Sequence, residues 1–229
     1  MGTISIEHGN NLYWLGRYTE RVFTTLKALQ ETYDKMLDGG IGYQEYLGYF
    51  DLPDIYNDSK SFFRSFLFDK DNFSSVAYSL ERAYDNGIVL REDISSGAFS
   101  FLQIAKDTLK GAKGSENTRF ALLPLEDVLY GFWGCIADNI YDEETKNIIY
   151  CGKSTERLDL YLRMKYPYEE VHKEFERLCI RLGRVPKNTP YRYNTRFLSD
   201  LVEIIGEENE YDLKSGAAVA SLERLFESA

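Results

Sequence analysis

Along the first forty residues the apolar positions recur in steps of three and four. Leu15, Tyr18, Val22, Leu26, Leu29, Tyr33 and Met36 fall on one face, which predicts a long helix from about Asn11. Gly39-Gly40 supplies its stop. The next stretch, GIGYQEYLGYFDLPDIYNDSK, mixes aromatics with Gly, Pro and Asp and predicts a short helix and a loop, followed by a helix through SFFRSFLF. Ser74 or Ser75 can cap a helix opening VAYSLERAYDNGIVLRE, and SGAFSFLQIAKDTL continues or restarts it. GAKGSENT, residues 111–118, has the composition of a surface linker.

Beyond it, LLPLEDVLYGFWGCIADNIY and EETKNIIYCGKSTERLDLYLRMKY predict two more helices, and Pro167 suits the first turn of a third, PYEEVHKEFERLCIRLG. VPKNTPYRYNT, residues 185–195, predicts a loop, and TRFLSDLVEIIG and KSGAAVASLERLFES close the chain as helices. No stretch sustains β alternation between turn signals. The expectation is an all-α bundle of roughly eight helices in a single compact domain.

Composition fits that picture: of 229 residues 44 % are apolar and 15 % aromatic, enough for a core that needs no staples. Charge narrows the partners. At −10 the chain would repel a polyanion, so no nucleic acid is expected. Cys135, Cys151 and Cys179 are odd in number and lack metal or redox spacings, which predicts reduced, buried thiols. No apolar run approaches the ~20 residues of a membrane span, and MGTISIEHGN lacks a signal peptide's basic start and apolar core. A cytoplasmic protein without membrane association is expected.

Most of GRYTERV, residues 16–22, returns as GKSTERL, residues 152–158. The register sets Gly16 on Gly152, Thr19 on Thr155 and Glu20-Arg21 on Glu156-Arg157, with Lys153 opposite Arg17. SLERA at 79–83, holding Glu81-Arg82, is echoed in the same order by SLERL at 221–225. Leu-Glu-Arg recurs by chance among good helix formers. Two echoes in order and at similar spacing point instead to two related halves, 1–112 and 118–229.

NNLYWLGRYTER, SLERAYDNGIVLREDISS and GKSTERLDLYL together resemble the alpha-E family of bacterial helical proteins, a tandemly duplicated helical domain with a Glu-Arg motif. The resemblance implies a setting beside ATP-grasp carboxylate-amine ligases, transglutaminase-like proteins and a peptidase related to N-terminal nucleophile hydrolases. It thus implies a peptide synthesis or modification system, with the ligase, another protein of the operon or the peptide product as partner. It implies no reaction for the helical component.

On the first helix Arg17, Glu20 and Arg21 lie opposite the main apolar stripe, yet Trp14 borders their face, and Leu160 and Met164 share the corresponding face of the second copy. Charges on a helix buried on both sides must be paired. The candidate cluster is Arg17, Glu20, Arg21, Glu81, Arg82, Glu156 and Arg157, which Arg91 and Glu92 could join. It is either a structural ion-pair network or a pocket for a carboxylate or phosphate, which the guanidinium fork suits.

Other motifs weigh less. GKST lacks the first Gly of a P-loop and sits in a helical pattern. Glu169-x-x-His172 lacks the second motif of a di-iron bundle, and His8 is the only other histidine. Asp138, Asp142, Glu143 and Glu144 read as acids at a helix start, and Gly131 and Gly134 in YGFWG as close helix packing. With no nucleophile elbow, no metal set and no cofactor motif, a non-catalytic protein is expected, the alternative being an enzyme or ligand-binding protein that uses the interhelical Arg/Glu pocket for a carboxylate- or phosphate-bearing substrate.

Overall fold

The computed structural model describes residues 4–40, 42–185 and 192–226. Among these residues all regular structure is helical. The ten helices are α1 (Ile6–Leu37), α2 (Tyr43–Tyr49), α3 (Ser59–Phe68), α4 (Val76–Val89), α5 (Ser96–Lys113), α6 (Thr118–Asn139), α7 (Glu143–Arg163), α8 (Tyr168–Leu182), α9 (Thr195–Ile205) and α10 (Glu208–Glu223). Most of the loop expected at 185–195 lies outside the described residues.

Local chemistry sets the boundaries. Ser5 Oγ accepts from the His8 N–H at 3.1 Å, so α1 starts at Ile6, five residues before the expected Asn11. At the other end Gly39 takes φ 76°, and the Gly39 and Gly40 N–H groups return to the Met36 and Lys35 carbonyls, a Schellman stop. Ser95 caps a fresh helix by accepting from the Ala98 N–H, so α4 and α5 are separate.

Contacts divide the chain into two compact units, residues 1–17 with 143–229, and residues 18–142. The joint expected at 111–118 falls inside the second. No linker stands there: the buried series Leu102, Ala105, Leu109 and Ala112 carries α5 through Lys113, leaving a short turn before α6.

In the first unit α7 packs on α8 and α10, and α9 on α10. Ile148, Leu158, Val171, Leu178, Leu201 and Ile205 are fully buried there. Asn147 Nδ2 ties α7 to α8 by donating to the Arg181 carbonyl at 2.8 Å. Cys151 is buried, which pushes its thiol up to about 12, whereas Cys135 and Cys179 are half-buried; all three are free.

In the second unit α5 and α6 form a helical hairpin, and α4 packs on both α3 and α5. The aromatic-rich segment folds on Phe62 and Phe66, whose rings meet at 4.7 Å and are joined by Tyr43, Tyr46 and Tyr56. Gly131 packs as expected, since a Cβ there would lie 2.4 Å from the Phe101 ring. Gly134 does not: it lies on the exposed side of α6 with open space around its Cβ position.

By length and composition α6 could cross a membrane, although Glu126 and Asp127 interrupt its apolar run; 33 % of its apolar window is buried.

Ser75 anchors α4 from a fully buried position, accepting from the Tyr78 N–H at 2.9 Å and donating to the Asp69 carbonyl. Ser75→Ala is expected to cost about 1 to 2 kcal/mol, read as a lowered urea midpoint. An unmoved midpoint would mean that the cap contributes nothing.

Candidate functional site

The repeated motif is a place where two helices touch backbone to backbone. A Cβ on Gly16 would lie 2.0 Å from the Ile149 carbonyl oxygen, and one on Gly152 would lie 2.1 Å from the Tyr13 carbonyl oxygen. The contact is reciprocal, because Tyr13 and Ile149, like Gly16 and Gly152, occupy equivalent positions of the two copies. Each copy's glycine receives the other copy's carbonyl, which only a residue without a side chain allows.

That approach brings Arg17 onto α7. Its Nε donates to Glu156 Oε2 at 2.7 Å, with the side chains 8 % and 6 % exposed, so the pair is closed to solvent. Burial works against the guanidinium charge, but the Glu156 carboxylate, with Tyr13 and Asp159 nearby, more than offsets it and holds the Arg17 pKa above its usual value. The Tyr13 hydroxyl is raised by burial and hydrogen-bonds to Thr155 and Arg17, while Thr155 Oγ1 donates to the Cys151 carbonyl at 2.8 Å.

Farther along α7 the charges continue. Asp159 accepts from Arg163 Nε at 3.1 Å, and Arg163 Nη2 reaches Glu223 of the second SLER copy. Asp159 is raised by burial and by Glu156, against the pull of Arg17 and Arg163. Asp159, Arg163 and Glu223 were not singled out from sequence, although Asp159 and Arg163 have the four-residue spacing of a helical ion pair.

The nine candidates have different local surroundings. Arg17 and Glu156 meet; Glu20 is fully buried; Arg21 and Arg157 are half-buried, with the Arg21 guanidinium 5.7 Å from the Tyr18 ring. Arg82 pairs with Asp85 on the surface at 3.2 Å. Arg91 and Glu92 are exposed in the turn after α4, where Leu90 and Ile94 take the buried positions. Trp14, expected to help cover the charged face, is 37 % exposed with Arg17 over its ring.

Glu81 belongs to another place. It accepts from Lys70 at 3.1 Å and Lys106 at 3.0 Å on the wall of a cleft formed by α3, α4 and α5. Those two ammonium groups outweigh its partial burial and hold its carboxyl below the usual range. Lys106 also lies 3.8 Å from the centre of the Tyr84 ring. KDTLKGAK contributes three lysines to the same cleft, but its composition reads as a solvated helix end and linker.

Gly152 to Thr155 lie inside α7, so GKST is no phosphate loop. Glu143 pairs with Lys146 at 2.6 Å in the first turn of α7, and His172 sits beside the Tyr168 ring. Among the described residues no group of three His, Cys, Asp or Glu side chains is placed to hold a metal.

Among the described residues the chain is all-helical, and its repeated Glu-Arg motif lies at a tight helix crossing, which places it in the class of helical domains with an ER motif. The model of the Alpha-E family, a predicted alpha-helical domain with a conserved ER motif, matches residues 8–176, and the chain belongs to this family. No curated protein and no solved structure matches it.

Proposed function

We propose that the chain is a non-catalytic helical accessory protein of an ATP-grasp-linked peptide synthesis or modification system, acting in the cytoplasm and binding the ligase, another protein of its operon or the peptide product. The observation that carries this reading is the closed Arg17–Glu156 pair: the glutamate of the second motif copy is taken up by a contact between two helices, away from solvent. The reciprocal glycine contact supports the related reading that the two motif copies descend from one duplicated helical unit.

Co-expression with the ATP-grasp ligase of the same operon tests the function. The expected result is co-purification at a fixed stoichiometry, retained when surface charges at Arg82 and Arg91 are removed. A chain that elutes alone, and that neither binds the peptide product nor changes its yield, would sink the reading.

One observation favours a second reading, an enzyme or ligand-binding protein that uses the Arg/Glu region for a carboxylate- or phosphate-bearing substrate. Asp159 is a buried acid with a raised pKa between two arginines, and perturbed acids gather at working sites. Under this reading Asp159→Asn abolishes turnover or ligand binding while the fold survives. Under the scaffold reading the variant changes stability alone.

A further inference from the structure

A chain of net charge −10 gathers cations in one place. The α3–α4–α5 cleft has two adjoining lobes of about 400 Å³ and 520 Å³ that share Phe68, Lys70 and Lys113. Its walls carry five cations against three carboxylates, over a floor that includes Phe68, Leu80 and Leu109. Glu81 engages only Lys70 and Lys106. Arg64, Lys110 and Lys113 are exposed and, among the described residues, are held by no ion pair.

The ends of helices favour lysine on electrostatic grounds, which accounts for Lys110 and Lys113 alone. It does not account for Arg64 and Lys70, contributed from α3 and the turn after it to the same walls.

The spacing selects the ligand. Lys110 and Lys113 stand ~4.5 Å apart along α5 at the helical rise, and Arg64 lies on the wall that α3 contributes. A compact phosphate reaches one or two such groups. An extended peptide repeats same-side carboxylates every ~7 Å and can meet them in succession. Ammonium groups on flexible stems are point charges that suit separate carboxylates, and the apolar floor suits a peptide's methylene and backbone surface.

We infer that the α3–α4–α5 cleft is a binding site for an acidic peptide segment, its carboxylates taken by Lys110, Lys113 and Arg64 and its chain laid over Phe68 and Leu109. The inference deepens the peptide-product branch of the accessory reading and is tested without a ligase, so the two fail separately.

The test is fluorescence anisotropy of a labelled hexaglutamate peptide with the full chain at low salt. Binding is expected, weakening as salt rises and falling by about tenfold or more in Lys110→Glu/Lys113→Glu. Both positions are exposed, so circular dichroism should show an intact fold. Lys35→Glu/Lys173→Glu makes the same change in net charge on exposed positions elsewhere and is expected to retain binding. Three results would overturn the site: no binding, equal weakening by both double variants, or no weakening by either. Displacement of the label by pyrophosphate at lower concentration than by unlabelled hexaglutamate would overturn the peptide assignment in favour of a compact phosphate.

Discussion

Gly152→Ala is expected to destabilise the fold by about 3 kcal/mol or more, although alanine is the better helix former. Propensity alone favours the substitution by about 1 kcal/mol. Against this, the new methyl lies 2.1 Å from the Tyr13 carbonyl oxygen and 3.0 Å from the Arg17 nitrogen, both backbone atoms that no rotamer change can move aside. α1 and α7 must separate, and overpacking of this kind costs about 1 to 3 kcal/mol or more before the strained Arg17–Glu156 bond is counted. Gly134→Ala is the matched control. It sits in α6 with nothing within 4 Å of the Cβ position, and should gain about 0.5 to 1 kcal/mol. Urea unfolding of the two variants therefore moves in opposite directions. If both are stabilised, the close crossing is wrong.

Glu156→Ala should cost about 3 to 5 kcal/mol, because it strands the Arg17 guanidinium in an enclosure where it is 8 % exposed. Glu156→Gln keeps an acceptor for Nε and should cost less. Arg17→Met/Glu156→Leu removes both charges and restores apolar packing, so it should recover most of the loss and can exceed the native stability by about 1 to 4 kcal/mol. A solvated pair would behave otherwise, with Glu156→Ala costing under about 1 kcal/mol and the double variant gaining nothing. Chemical unfolding of all four chains decides between them.

Much of the helical layout was legible because each element carries its own signals. The three-and-four periodicity marked α1, Gly39-Gly40 its stop and Ser75 the start of α4, and all are local. Burial of Glu20 and Glu156 was legible too, since apolar residues such as Leu160, 8 % exposed, share the charged face, whereas Arg21 and Arg157 stay half-buried. The partner of Arg17 was not. A charge three residues away, Glu20, competes on paper with one 139 residues away, and only the packing of α1 on α7 selects Glu156.

The lysine cleft was hidden for the same reason. Lys70 and Lys106 are separated by the whole of α4, and GAKGSENT has the composition of a linker even though Ala112 is buried and keeps the helix going. Charge patterns within one helix can be read along a chain, whereas a groove formed by three helices cannot.

The reciprocal crossing limits how the two motif copies can diverge. Gly16 and Gly152 each accommodate the other copy's backbone, so neither position can accept a side chain while its counterpart drifts, and no substitution across the contact makes room, because the obstacle is a carbonyl rather than a side chain. Arg17 and Lys153, the residues that follow the two glycines, meet no such backbone obstacle and differ. Across the family the two glycines should therefore be lost or kept together, while the basic residue after each varies more freely.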